Sequence, residues 1–211
     1  TVAISGNFYN FNVDGATTAV GSFYGLTDEQ KAVLVDGEKT TIYGYFVSIS
    51  KSGGAPKFVN FITTHINETP AVANNYTSVL GTAVLNDAVE VKGYISATSS
   101  QGPILTDNGG SVLLYKTTGL AIGDEVTVSG TISSYNCGFQ IGTAGITVEK
   151  TGTTAVTYPT PMDITGAVAD ELLTTRTADE YAVYAKMTGT VAVSGNYYNF
   201  NIDGATAATG S

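Results

Sequence analysis

The sequence predicts an all-β protein, and three observations support this fold class. Charged residues make up 13% of the chain, about half the ~25% that is usual for soluble domains. Thr and Val, which favour strands, are abundant, and 25 glycines supply turns. Apolar and polar residues alternate with period two, as in residues 8–14, where Tyr9, Phe11 and Val13 share one face. This period is typical of a half-buried strand.

The end of the chain repeats its beginning. Residues 190–211 match residues 1–22 at a constant offset of 189, and 17 of the 22 positions are identical. A match this close marks a true internal repeat. The chain therefore ends partway into a second copy of its own start. Because Thr1 falls inside a strand-like run, we expect the natural chain to begin upstream.

The first 66 residues predict the order β-β-β-α-β-β. Three short strands occupy residues 1–24. The spacing of Thr27 and Gln30 is that of a capping box and predicts a helix of about two turns, with its exit at Gly37. A long strand over residues 40–50 and a returning strand over 57–66 complete the unit.

This order predicts a five-stranded Greek-key barrel with a helix between strands three and four, the OB-like architecture. The first strand of barrel 1, residues 1–66, is truncated. The order recurs in barrel 2, residues 89–150, where Gly123–Tyr135 aligns with Gly37–Ile49 and Gly130 falls opposite Gly44. The isolated Gly44 predicts a bend in its strand.

Three short motifs extend this reading to a known family. They are Lys92-Gly93-Tyr94-Ile95, Gly123-Asp124-Glu125-Val126-Thr127-Val128-Ser129-Gly130 and Lys186-Met187-Thr188-Gly189-Thr190-Val191. With them the chain resembles the tandem OB-fold modules of secreted and cell-surface repeat proteins of Bacteroidetes-type bacteria. The resemblance implies the OB fold and an extracellular or cell-surface location. It says little about activity, because one barrel type hosts many functions.

The remaining segments link the barrels and begin a further repeat. Residues 67–88 form a connector, residues 151–178 form a linker, and residues 179–211 start the next copy. Asp163 is the expected cap of a short helix over Ala167–Leu173 in the linker.

The tail carries the strand that barrel 1 lacks, over Tyr181–Thr190. An isolated hairpin is marginal in water. We therefore expect the tail of one chain to complete the head of the next. The expected inter-unit contacts are Tyr181, Val183, Tyr197, Tyr198 and Phe200.

Charge and motif content exclude several functions. The net charge is −9, and nine basic residues scattered over 211 positions make no basic stripe, so nucleic-acid binding and anionic membranes are disfavoured. No apolar run approaches the roughly 18 residues that span a bilayer. Cys137 and His65 are each the single residue of their type, and no hydrolase, zinc or phosphate-loop motif is present. We expect no enzyme, no cofactor and no metal site. The Asp-Gly and Asp-Asn-Gly segments at Asp14, Asp107 and Asp203 are typical of turns, and calcium binding at them is the alternative.

One set of aromatic and amide residues is a candidate ligand face. Aromatic rings beside amides can stack on sugar rings and hydrogen-bond their hydroxyls. The same residues would also suit packing between modules or an ordinary solvated strand, and the tyrosines would suit the barrel core. The candidates are Phe8, Asn10, Asn12, Tyr43 and Tyr45.

The sequence thus favours a non-enzymatic repeat unit of an extracellular structural or adhesive filament or surface stalk. Its partners would be copies of itself, assembled head to tail, and a surface glycan. The alternative is a glycan-binding OB module, with single-stranded nucleic acid a weaker variant of that alternative.

Overall fold

The structure, a computed structural model of the 211-residue chain, describes residues 2–5, 8–17, 20–67, 76–164, 166–194 and 197–203. Two short helices accompany fourteen strands in these ranges. The helices are α1 (Asp28–Ala32) and α2 (Ala167–Thr175). The strands are β1 (Val2–Ser5), β2 (Phe8–Asp14), β3 (Val20–Phe23), β4 (Lys39–Ser52), β5 (Ala55–Ile66), β6 (Ala88–Ala97), β7 (Ile104–Thr106), β8 (Ser111–Leu114), β9 (Asp124–Tyr135), β10 (Gly138–Ile141), β11 (Thr147–Thr153), β12 (Met162–Asp163), β13 (Val183–Ser194) and β14 (Tyr197–Asp203).

The predicted architecture of two five-stranded barrels is confirmed. Barrel 2 consists of five strands that are consecutive in the chain, β6 to β10. Strand β6 pairs with both β7 and β9, and β10 pairs with both β8 and β9. Barrel 1 has the same strand order, with β13 in the first position, between β2 and β4. Barrel 1 is therefore closed by a strand from the far end of the chain.

The two barrels share one register, as the alignment of their fourth strands predicts. Gly44 of β4 pairs with Ala185 of the first strand, and Gly130 of β9 pairs with Val89. The β4–β5 ladder also shifts register between Tyr43 and Gly44. This register shift is the kind of irregularity that the isolated Gly44 predicts.

In each barrel, side chains from a segment that precedes the first strand join the core; we call these two segments the plug segments. In barrel 2 the end of the connector inserts Leu80, which is fully buried among core residues such as Val91 and Ile95. In barrel 1 the corresponding segment comes from the tail and inserts Ile164, Ala169 and Leu173, the last two from α2. Side chains on the plug segments thus complete both cores.

Three local predictions need correction. The capping box at Thr27 and Gln30 forms, but α1 spans only five residues and ends well before Gly37. Asp163 does not cap α2, because it lies in β12, and the residue at the helix start is Gly166 without a side-chain cap. The strand that the sequence predicts over Phe139–Val148, as the closing strand of barrel 2, is split into β10 and β11, which pair with different halves of β9.

The barrels pack against each other through a tyrosine-rich interface. Tyr45, Tyr158 and Tyr184 are all buried there, and the rings of Tyr158 and Tyr184 stack at 4.9 Å. The Tyr158 hydroxyl donates to the carbonyl of Ser96 at 2.8 Å. The interface therefore joins β4, β13 and the linker to barrel 2. No helix in the described part of the chain is long and apolar enough to cross a membrane.

Candidate functional site

The seam where β13 meets β4 is the main candidate site for assembly. Six consecutive residue pairs join the two strands in antiparallel register, from Val183 with Phe46 to Thr188 with Thr41. At the end of this run the hydroxyls of Thr41 and Thr188 lie 3.1 Å apart. Met187 and Val191 of β13 are fully buried in the core of barrel 1. Strand β13 is therefore an integral core strand of barrel 1 and not a loosely attached tail.

The second edge of β13 is shared by the two copies of the repeated strand. Gly189 pairs with Val13 of β2 and with Ile202 of β14, which are equivalent positions of the repeat. Thr190 likewise pairs with both Asn12 and Asn201. A strand edge offers each residue one set of backbone hydrogen bonds. The two copies of the repeated strand therefore pair with the same two residues of β13, Gly189 and Thr190.

The copies are also paired with each other. β14 runs parallel to β2, with Ile202 beside Val13 and Asp203 beside Asp14. These partners are separated by the repeat offset of 189. Equivalent residues of the two copies therefore lie side by side in β2 and β14.

Polar contacts fix the α2 segment to barrel 1. Asp163 forms an ion pair with Lys186 at 3.0 Å, and this contact raises the pKa of the Lys186 ammonium group. The Asp170 carboxylate of α2 accepts hydrogen bonds from the backbone N–H of Thr17 and from its hydroxyl, the latter at 2.6 Å. Because α2 and β13 adjoin in sequence, the two dock as one unit.

Arg176 joins this unit to both barrels, a role that the sequence did not reveal. Its guanidinium is nearly fully buried and lies 4.1 Å from the ring centre of Phe46 in barrel 1. Its Nε donates to the carbonyl of Cys137 in barrel 2 at 3.1 Å, and Nη2 donates to the carbonyls of Glu180 and Tyr181. Burial lowers the pKa of this arginine, and the nearby Glu180 carboxylate opposes that effect.

The predicted inter-unit residues fall on the seam and beside it. Val183 pairs with Phe46, and the half-buried Tyr181 packs on Phe139 at 5.0 Å, both within one chain. Tyr197, Tyr198 and Phe200 lie in β14, and their side chains are outside the described residues. The closure that we expected from a neighbouring chain is thus made within the single chain. Closure by a neighbour stays a prediction.

The predicted ligand residues do not form one open face. Tyr45 is fully buried between the barrels, where burial raises its pKa to about 12, and Tyr43 packs against the same cluster. Both tyrosines therefore belong to the packing between the two barrels, and neither lies in the core cluster of barrel 1. Asn12 is half-buried, and the side chain of Phe8 is outside the described residues. Asn10 is almost fully buried and lines a cleft.

The residues with metal-binding or catalytic chemistry lie apart. In the described ranges no group of three His, Cys, Asp or Glu residues could hold a metal ion. The His65 ring meets Tyr158 edge-on at 5.0 Å. Cys137 sits in the β9–β10 turn. The Asp107 turn caps backbone N–H groups, as turns of this composition usually do.

Comparison with protein-family models, curated proteins and solved structures found no match to this chain.

Proposed function

We propose that this chain is a non-enzymatic repeat unit of an extracellular filament or surface stalk, assembled head to tail. The observation that carries the proposal is the shared edge of β13, where two copies of one strand meet a single pairing place. One copy is therefore surplus in an isolated unit. In an assembly of units, the surplus hairpin of one unit would pair with barrel 1 of the next unit.

The seam explains how such units would join. β13 of one unit would close barrel 1 of the next, with α2 docking beside it, in the same contacts that the single chain makes. Exchange of an identical element between copies is a low-cost route to assembly, because no new interface has to be made. Because the tail of one unit would meet the head of the next, the contact is head to tail, and it gives open chains unless two or more units exchange tails in a closed ring.

Concentration would decide between the closed unit and the chain of units. The contacts are the same in both forms, so the closed form gains mainly from the high local concentration of its own tail, of millimolar order for a flexible connection. Dilute protein should therefore be closed. Crowding at a surface, or linkage of successive units in one polypeptide, would favour the head-to-tail form.

The setting outside the cell rests on composition and resemblance. The low charged content and the repeat are like those of the bacterial surface modules that the motifs resemble. The partners proposed are further copies of the chain, with a surface glycan as a second partner. No activity on a substrate is part of the proposal.

A cysteine pair across the seam tests it directly. Thr41→Cys and Thr188→Cys, in a Cys137→Ser background, place two thiols on adjacent strands whose present hydroxyls are 3.1 Å apart, within the geometry of a disulfide. Closure within a chain gives one band near the 21.8 kDa of the subunit on a non-reducing denaturing gel. Closure between chains gives a ladder.

We expect the ladder to grow as the protein is oxidised at increasing concentration and to collapse on reduction. The single variant Thr41→Cys is the control, because one thiol per chain yields dimers at most. A single band at every concentration, with both thiols consumed, would contradict the proposal.

A further inference from the structure

A cleft of about 480 Å³ lies where the two barrels meet. Barrel 1 contributes its second to fifth strands, and barrel 2 contributes the turns at Ser100-Gln101 and Tyr135-Asn136. The walls of the cleft are held together by backbone hydrogen bonds between the barrels. Ser100 N donates to the Gly25 carbonyl at 3.1 Å, and Ile49 N donates to the Asn136 carbonyl at 2.9 Å. The cleft is therefore formed before any ligand arrives, which lowers the cost of binding.

Four of the described lining residues are aromatic, and one of them, Phe23, is buried in the core of barrel 1. Tyr24 and Phe58 are half-buried, and Tyr135 projects from the β9–β10 turn with 55% of its surface exposed. Burial and the neighbouring Tyr115 and Tyr135 raise the pKa of Tyr24 to about 12. Its hydroxyl is thus neutral near pH 7 and can both donate and accept a hydrogen bond.

Amide side chains make up much of the polar lining. They are Asn10, Asn60, Gln101 and Asn136. Asn60 is fixed in place, since its Nδ2 donates to Ser48 Oγ at 2.8 Å and its Oδ1 accepts from Ser50 Oγ at 3.0 Å. Amides carry donors and acceptors side by side. They match a ligand whose own groups do the same, as sugar hydroxyls do.

The charge of the lining is opposite to that of the chain. Lys31 and Lys51 line the cleft, whereas none of its described lining residues is Asp or Glu, although the chain has 18 acidic residues. Lys31 already pairs with Asp28 at 2.7 Å. The exposed Lys51 therefore provides an ammonium group that can bind an anionic group of a ligand.

We propose that this cleft binds an oligosaccharide, with the aromatic rings stacking on sugar faces and the amides bonding to hydroxyls. Lys51 adds a preference for a sugar that carries a carboxylate. A nucleic acid fits less well, because its binding depends on several cations along the backbone, and the whole chain carries a net charge of −9. The proposal specifies the glycan partner of the proposed function, and it is independent of head-to-tail assembly, since none of the described lining residues lies in β13 or β14.

Binding of defined oligosaccharides to the full chain tests the proposal. The probes are neutral hexasaccharides of glucan, xylan and mannan, acidic hexasaccharides of galacturonan and alginate, and a short oligothymidylate. We expect at least one hexasaccharide to bind and Tyr135→Ala to weaken that binding about tenfold, as loss of one stacked ring should. Gln101→Ala should weaken it several-fold.

Charge is tested with a matched pair of lysines. Lys51→Ala should reduce binding of an acidic hexasaccharide and leave that of a neutral one nearly unchanged. Lys92→Ala, which removes an exposed lysine of barrel 2 outside the cleft, should affect neither. Unfolding curves measured for each variant separate loss of binding from loss of fold.

Three results would overturn the proposal. They are failure of every hexasaccharide to bind, binding of the oligothymidylate alone, and saccharide binding that Tyr135→Ala and Gln101→Ala both leave unchanged.

Discussion

Asp107 shows how one side chain can organise a whole turn. Its carboxylate accepts four backbone N–H groups, from Val79 and Leu80 of the connector and from Gly109 and Gly110 of its own turn, at 2.6–3.0 Å. The residue is almost fully buried. A buried backbone N–H that loses its acceptor costs free energy. Asp107 therefore holds the Leu80 plug in barrel 2.

Asp107→Ala should lower the free energy of unfolding by about 3 kcal/mol, because four backbone N–H groups, that of Leu80 buried and the others part-buried, lose their partner at once. Urea unfolding followed by circular dichroism measures this difference. Asp87→Ala is the matched control, since the exposed Asp87 accepts one such bond, from Val84 N at 2.9 Å. A similar loss in both variants would contradict the role given to Asp107.

Glycines in the two fourth strands illustrate how an element is shaped by its neighbours. A side-chain carbon added at Gly44 would overlap the backbone carbonyl of Ile62 in β5. At the equivalent Gly130 it would lie 2.6 Å from a methyl group of Ile141 in β10. A methyl group can move aside more easily than a strand can. The glycine is thus more tightly constrained in barrel 1 than in barrel 2.

Gly44→Ala should cost about 3 kcal/mol in stability and Gly130→Ala about 1 kcal/mol, since overpacking against backbone is the harder to relieve. Thermal and urea unfolding of the two variants check the order. If Gly130→Ala proved the more damaging, the strand β5 backbone would not be the constraint proposed here.

The sequence predicted elements wherever the signal was local. The capping box needs only Thr27 and Gln30, and its two hydrogen bonds form at 2.9 and 3.2 Å. The fourth strands were aligned from their own residues, and the shared register of Gly44 and Gly130 confirms that alignment. Asp163 failed as a cap because the partner that determines its position is Lys186, on a strand that the local pattern does not include.

The sites were harder to predict, because residues distant in sequence form them. Alternation gives the two faces of a strand but not what covers each face. The sequence left Tyr45 open between a ligand face and the barrel core, yet barrel 2 covers it through Thr106 and Leu113. The cleft needs Asn10, Lys51, Gln101 and Tyr135 from four separate segments. No spacing in the sequence brings these four together.

At the scale of the whole molecule, the barrels behave as one body because the tail is fixed between them. Arg176 touches Phe46 of barrel 1 and the Cys137 turn of barrel 2. Ala182 N also donates to the Ser111 carbonyl of barrel 2 at 3.0 Å. We therefore expect a single cooperative unfolding transition.

Arg176→Ala should split that transition in two and lower the stability of barrel 1 by about 3 kcal/mol, because three part-buried carbonyls lose a charged donor. Differential scanning calorimetry measures both effects. Arg176→Lys is the control, since it keeps the charge but not the planar fork, and it should recover part of the coupling. One unshifted transition in the Ala variant would contradict this role.

The far-end closure of barrel 1 also sets an order of events during synthesis. Barrel 2 has its five strands within Ala88–Ile141 and can fold as soon as they leave the ribosome. In a unit that closes on itself, barrel 1 must wait for β13, whose partner β4 is made about 140 residues earlier, and such distant pairing forms slowly. Until then the apolar side chains of β4 and β5 lack their final cover. The nascent chain is therefore most prone to aggregation in the interval before its own tail is translated.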